Sequence, residues 1–250
     1  MRDSTGPEGD FRARHRVLAA GYGGRDDPAD PDAVLAMPIV LHLPKVDPPP
    51  RSALLEAAAA ATAALCLDER VGEGGEWQQA FLDWTGARIR KVARRARGAQ
   101  WRAATEVPGV TADIGGAQAR AFVPGPVGEL DARIRRLQIG GTDIEHDDAG
   151  PTRPDLPVLW INSALEMTLG KAAAQVGHAS MLLAGAMTPD DAYRWSQSGF
   201  DCSVRDANPD LWHRLEGLVV DRRAIAVRDA GFTEVAPGSM TVIAVPGQRR

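Results

Sequence analysis

Two segments in the last third of the chain, Leu169 to Ala179 and Asp229 to Ala244, hold side chains whose types suit hydrolysis of an ester. Lys171 offers an ammonium, Asp229 a carboxylate, and Thr233 and Thr241 two hydroxyls. Attack of water on an acyl ester builds negative charge on the carbonyl oxygen, and a fixed cation lowers that barrier; losing one such donor costs about 100- to 1000-fold in rate. A carboxylate within reach orients the attacking water and takes its proton. Lys171 is one of only three lysines, with Lys45 and Lys91, in a chain that otherwise uses arginine. It stands where a helix is predicted to begin, and a cation there opposes the positive end of the helix dipole at a cost of about 0.3–1 kcal/mol. A local misfit of this kind points to function, because a helix N-terminus plus an ammonium attracts an anion, either a phosphate or a developing oxyanion. The chain has neither a G-x-S-x-G elbow nor a cysteine–histidine signature, which fits water as the nucleophile.

The elements that must position these groups follow the same plan twice. The apolar run from Pro38 to Leu43 predicts a strand, followed after a proline-rich turn by an Ala/Leu helix from about Arg51 and Ser52. The run from Pro157 to Asn162, followed by a helix from about Thr168, repeats that order. That second helix places Ala172, Val176, Ala179 and Leu183 on one face. Further on, Gly109 to Gly125 lies without gaps over Gly231 to Gly247, matching Gly109 with Gly231, Thr111 with Thr233 and Gly116 with Gly238, and both stretches close on Val-Pro-Gly. Trp101 and Trp212 fall at matching places in helical stretches. The expected fold is α/β: two tandem small units, each a mixed four-stranded sheet flanked by helices, forming a pseudo-dimer. Residues 34–126 make the first unit and 157–250 the second, joined by a 127–156 linker with a short helix from Glu129 to Leu137. Residues 1–33, rich in Gly, Asp, Arg and Pro, predict a mobile N-terminal segment.

Composition narrows the class. The chain has 250 residues, 44% of them hydrophobic and 25% charged, with a net charge of −4. It has no apolar run of membrane-spanning length and no signal-peptide pattern, so a cytoplasmic protein is expected. Cys66 and Cys202 lie far apart without C-x-x-C spacing, which predicts buried, inert thiols and neither a disulfide nor a metal site. The acidic balance gives no global attraction to polyanions. Locally, Arg88, Arg90, Lys91, Arg94, Arg95 and Arg97 crowd into ten residues, enough to contact several phosphates if they share a face.

Residues 157 to 247 resemble the type 2 peptidyl-tRNA hydrolases of archaea and eukaryotes. The resemblance rests on Gly170-Lys171, Ala173 to Gln175 and His178-Ala179, then on Asp229 to Gly231, Thr233, Pro237-Gly238 and Thr241. It implies cleavage of the ester between a peptide, or an N-blocked amino acid, and the 3′ ribose of tRNA, with no metal or organic cofactor. It implies Lys171, Asp229, Thr233 and Thr241 as catalytic residues, with peptidyl-tRNA as partner and no membrane. Gln175, His178, Gly231 and Gly238 are candidates to line the substrate, and Arg88, Arg94 and Arg95 to contact its phosphates. Taken singly, each of these residues has an ordinary structural explanation; the pattern carries the reading.

The chain departs from that family in three places. Asn162-Ser-Ala-Leu165 stands where Arg-x-Asp-Leu is usual, Phe232 where a basic or polar residue is usual, and Glu234 where a glutamine is common. The first unit pairs Ser52, Glu56, Ala59 and Val107 with Lys171, Gln175, His178 and Asp229, which predicts a catalytically dead copy serving as a built-in partner. The competing expectation is a module that keeps the fold and binds tRNA or a protein without catalysis. A third is hydrolysis of another small ester or amide.

Overall fold

The computed structural model describes residues 7–140, 144–229 and 234–248. An initial helix α1 (Pro7–Ala19) precedes β1 (Leu35–His42), α2 (Arg51–Cys66), α3 (Gln78–Thr85), β2 (Arg90–Ala96), α4 (Gly98–Thr105), β3 (Gly109–Ile114) and β4 (Ala117–Phe122). A two-residue strand β5 (Gly125–Pro126) and a short helix α5 (Ala132–Arg135) follow. The second series is β6 (Val158–Asn162), α6 (Leu169–Ala186), α7 (Pro189–Gln197), β7 (Ser203–Ala207), α8 (Pro209–Val220), β8 (Ile225–Arg228) and β9 (Met240–Val245).

The two sheets have one topology. The strand orders are β2-β1-β4-β3, with β5 beside β1, and β7-β6-β9-β8. In each, the first strand pairs parallel with the second and antiparallel with the last, and the third and last pair antiparallel. These are the two tandem mixed units the sequence predicts, with one addition: each crossover carries two helices rather than one. The added helices α3 and α7 end in the same device. The indole of Trp84 donates to the carbonyl of Arg90 at 3.1 Å, and that of Trp195 to the carbonyl of Asp201 at 2.8 Å, so each tryptophan ties down the backbone six residues ahead, at or just before the parallel strand.

Alternation sorts each strand between two layers. Met37, Ile39 and Leu41 of β1, Ala119 and Ala121 of β4, and Leu159, Ile161, Val242 and Ala244 of the second sheet belong to one continuous core with α2 and α6. The opposite faces close separately, Val40 and Phe122 against Trp101 of α4 and Ile134 of α5, and Ile243 against Trp212 and Leu215 of α8. Helix α2 is buried nearly all round, as its polyalanine composition requires. It packs on α6 through small residues: the Ser180 hydroxyl donates to the Ala59 carbonyl at 2.8 Å, and a Cβ on Gly177 would lie 2.7 Å from Thr62 Oγ1. Counted from the first residue of each helix, Ala59 and Gly177 are both eight positions on and Thr62 and Ser180 both eleven. The contact is therefore reciprocal, as at a two-fold interface.

That seam corrects the sequence pairing. Lys171, Gln175 and His178 fall opposite Ala53, Ala57 and Ala60, not Ser52, Glu56 and Ala59. The gapless match of Gly109 with Gly231 also fails structurally, because it sets Ala121 of the shared core against Ile243 of the outer cluster. A one-residue slip exchanges the faces of a strand, and the β8–β9 ladder shifts register between Val227 and Arg228. Aligned by their ladders and core residues, Asp229 follows β8 at the level of Ile114, not Val107.

The segment predicted to be mobile carries α1. Phe11, Arg14, His15 and Leu18 are buried along one stripe of it. Arg14 Nε donates to the Leu67 carbonyl at 2.9 Å in the first unit, while His15 Nε2 lies 3.0 Å from the Ala184 carbonyl in the second. Half of the stripe is polar, so hydrophobic periodicity does not reveal it. The predicted linker helix is shorter than expected, ending at Arg135.

Lys91 shows what burial does to a charge. Its ammonium lies 4.8 Å from the centre of the Trp84 ring and 3.7 Å from Met181 Sδ, in the layer shared by the two units. Burial lowers its pKa to about 8, the nearby Cys66 thiol acting weakly the other way. Below pH 8 both folded and unfolded chains are protonated and the fold bears the desolvation cost. Between about 8 and 10 the unfolded chain holds the extra proton, so stability rises with pH. Lys91→Met is expected to stabilise the protein at pH 7 on the order of 1–3 kcal/mol, a gain in Tm over the native chain that shrinks as thermal melts are repeated from pH 8 to pH 10. A gain independent of pH would contradict this account. Both cysteines are buried, and burial pushes the Cys66 thiol up to about 12 and the Cys202 thiol higher still.

Candidate active site

Helix α6 opens with Thr168 as its cap, whose hydroxyl accepts from the Lys171 backbone N–H at 3.2 Å. Lys171 is thus the third helical residue, and Gln175 sits one turn on along the same face. Across from them Asp229 leaves the end of β8. Its backbone is pinned on both sides: its N–H donates to the Ser239 carbonyl at 2.9 Å, and its carbonyl accepts from the Gly238 N–H at 2.7 Å. Gly238 holds φ of +80°, a conformation that glycine adopts without strain.

The side chains then meet in a line. Lys171 Nζ donates to Asp229 Oδ2 at 2.6 Å, Gln175 Nε2 donates to the same oxygen at 2.8 Å, and Thr241 Oγ1 donates to Gln175 Oε1 at 2.6 Å. Lys171 and Asp229 side chains are 11% and 9% exposed, so the pair is nearly withdrawn from water. An ammonium and a carboxylate held this way keep fixed positions, and charges act more strongly where solvent is excluded. Thr241 is fully buried on β9, where its hydroxyl donates to Gln175.

The carboxylate of Glu234 lies at the α6 N-terminus, accepting from the Thr168 N–H at 2.9 Å and from the Thr168 hydroxyl at 2.8 Å. It offsets the unfavourable placing of a cation in the first turn. Beside Thr168, a cavity of about 270 Å³ is lined by Asn162, Ser163, Glu166 and, from the opposite unit and the linker, Arg51 and His146. Asn162 closes the turn after β6, accepting from the Ala164 N–H at 3.1 Å, and Ser163 donates to the Ala207 carbonyl at 2.7 Å.

The other predicted residues are dispersed. Thr233 and Gly231 lie outside the described residues, as does Phe232. His178 is two turns beyond Lys171, about 10 Å along the axis, with its ring edge-on to Tyr22. Burial holds its pKa well below the usual histidine value, and Lys91 adds to the effect. The arginine run does not form one open face. Arg90 and Arg88 are paired with Asp27, Arg94 donates to the carbonyls of Arg135 and Leu137, and Arg95 bonds Gln138. A strand alternates its side chains, so neighbours in this run point to opposite layers. Among the described residues no group of three or more histidine, cysteine, aspartate or glutamate side chains is placed to hold a metal ion, and no helix is long and apolar enough to cross a membrane.

Of the residues singled out from sequence, the structure brings Lys171, Asp229 and Gln175 together; the Thr168–Glu234 contact was not foreseen, although Glu234 was visible as a departure from the family pattern. Residues 157–250 match the family model described as peptidyl-tRNA hydrolase PTH2. The match spans the second unit and bears on that unit alone.

Proposed function

We propose, from a second unit that matches the PTH2 family, that the protein hydrolyses the ester between a peptide or N-blocked amino acid and the 3′ ribose of tRNA. The single observation that carries the reading is the Lys171–Asp229–Gln175 cluster at the start of α6. In this mechanism water adds to the ester carbonyl carbon as Asp229 takes one of its protons. Lys171 faces the oxyanion that forms. Collapse breaks the bond to the ribose 3′ oxygen, which receives the proton from Asp229, leaving a free carboxylic acid and free tRNA. Gln175, held by Thr241, is a positioning residue for the Asp229 carboxylate. Residues 157–250 are the proposed catalytic domain, 127–156 the connection, and 34–126 the copy without chemistry, where Ala53, Ala57 and Ile114 stand for Lys171, Gln175 and Asp229.

Supplying purified protein with N-acetylaminoacyl-tRNA tests the proposal: release of the acyl group is expected, and an absence of turnover by the native chain would overturn it. One observation favours a second reading, tRNA binding without turnover. Glu234 occupies the helix end that would otherwise help to hold a developing oxyanion. Salt-dependent tRNA affinity with no acyl release would select it.

A further inference from the structure

The first unit keeps a basic cleft that the line of chemistry above does not use. It measures about 310 Å³ and lies where β2 ends and α4 begins, lined by Arg95, Arg97, Arg136, Gln100 and Gln138 among others, with no carboxylate in its wall. The chain as a whole carries a charge of −4, so three guanidiniums around one concavity form a local reversal of sign. Walls of one sign focus the field within a cleft.

The neighbouring structure sets these groups in place. Gly98, at φ +51°, makes the sharp change from strand to helix, and Arg97 stands as the cap residue of α4 with no side chain capping the helix. Arg94 grips the carbonyls on either side of Arg136, at 3.1 and 2.8 Å, which holds the end of α5 over β2. Gln138 fixes Arg95 twice, through its side-chain oxygen at 3.0 Å from Nε and through its backbone carbonyl at 3.0 Å from the Arg95 N–H. Arg97 and Arg136 are exposed and, among the described residues, form no ion pair and no side-chain hydrogen bond; Arg136 is felt only electrostatically, by Asp131. Planar guanidinium forks match phosphate oxygens two at a time.

We propose that this cleft binds backbone phosphates of the tRNA, so that the unit without catalytic residues serves as the anchoring half of the enzyme. Arg97 and Arg136 are the principal contacts, and Arg94 and Arg95 position them. The proposal rests on the reading of the substrate as tRNA, and it replaces Arg88 and Arg94 as the phosphate contacts expected from the sequence.

The test uses deacylated tRNA, whose binding needs no hydrolysis, in a fluorescence titration over a range of salt. Arg97→Ala/Arg136→Ala is expected to weaken binding about tenfold or more at low salt and to reduce the slope of log affinity against log salt by about 2. Arg97→Lys/Arg136→Lys should recover part of the loss. Arg16→Ala/Arg214→Ala, which removes two exposed charges elsewhere, should change little. On acylated substrate the alanine pair should raise KM and leave kcat unchanged. Affinity equal to that of the native chain, or an equal loss in both alanine pairs, would overturn the cleft. Loss of tRNA binding in a protein with no acyl release would uphold the cleft while removing the hydrolase reading. Unaltered binding in a protein that turns over would do the reverse. Binding of inorganic phosphate at the cleft with tRNA affinity unaffected by the variants also counts against it.

Discussion

Lys171→Ala is expected to slow acyl release from N-acetylaminoacyl-tRNA by about 100- to 1000-fold, with the affinity for deacylated tRNA nearly unchanged. The loss should appear in kcat, because the ammonium is placed to act on charge that develops only during reaction. Asp229→Asn should lose a comparable factor: it keeps the shape and can still meet Gln175, but it no longer takes a proton. Residues acting as one unit are not additive, so the double variant should be little worse than either single one. Stability could imitate this result, since removing one member of a nearly buried ion pair leaves the other uncompensated. Lys171→Met/Asp229→Leu separates the two causes, because it removes both charges together. It is expected to melt within a few degrees of the native protein while remaining inactive. Measurable turnover by that variant, or native turnover by Lys171→Ala, would end the assignment.

Gly177→Leu is expected to cost about 3 kcal/mol, close to the upper range for overpacking a tight core. The first added carbon already lies 2.7 Å from Thr62 Oγ1 and 3.2 Å from Ile39 Cδ1, and Thr62 has little room to turn because its hydroxyl donates to the Ala58 carbonyl at 2.8 Å. Both helices are anchored to sheets in the same core, so the strain has no loop into which to relax. For a chain of this length the cost corresponds to a fall in Tm of roughly 6–12 °C. The transition should remain single, since each unit is completed by the other. A calorimetric trace that splits into two peaks, one of them unmoved, would show that the units fold separately.

How far the sequence foretold this molecule differs from feature to feature, and each difference has a cause. Lys171, Asp229 and Gln175 were legible as a group because their spacing matches a known pattern, and Lys171 also because a cation is out of place in the first turn of a helix. The two sheets were legible because apolar strands are followed each time by small-residue helices. Helix α1 was not, since Arg14 and His15 interrupt its buried stripe and are satisfied by carbonyls 53 and 169 residues away in sequence. The arginine run left open whether its cations share a face, because a count of cations does not tell which layer each will face; only the strand assignment of Arg90–Ala96 separates Lys91, turned to the interior, from Arg97 at the rim. The pairing of Gly109 with Gly231 misled because, carried along the closing strands, it runs one residue out of step and sets Ala121 of the shared core against Ile243 of the outer cluster.

The Ala59–Ser180 and Thr62–Gly177 contacts join two halves that one peptide chain already links. In an assembly of separate subunits such a seam opens on dilution, and with it any support the partner lends to the reacting groups. Covalent connection replaces the partner's concentration by a fixed effective one. Under the proposed activity, turnover per molecule should therefore hold constant down to the lowest protein concentrations at which it can be followed.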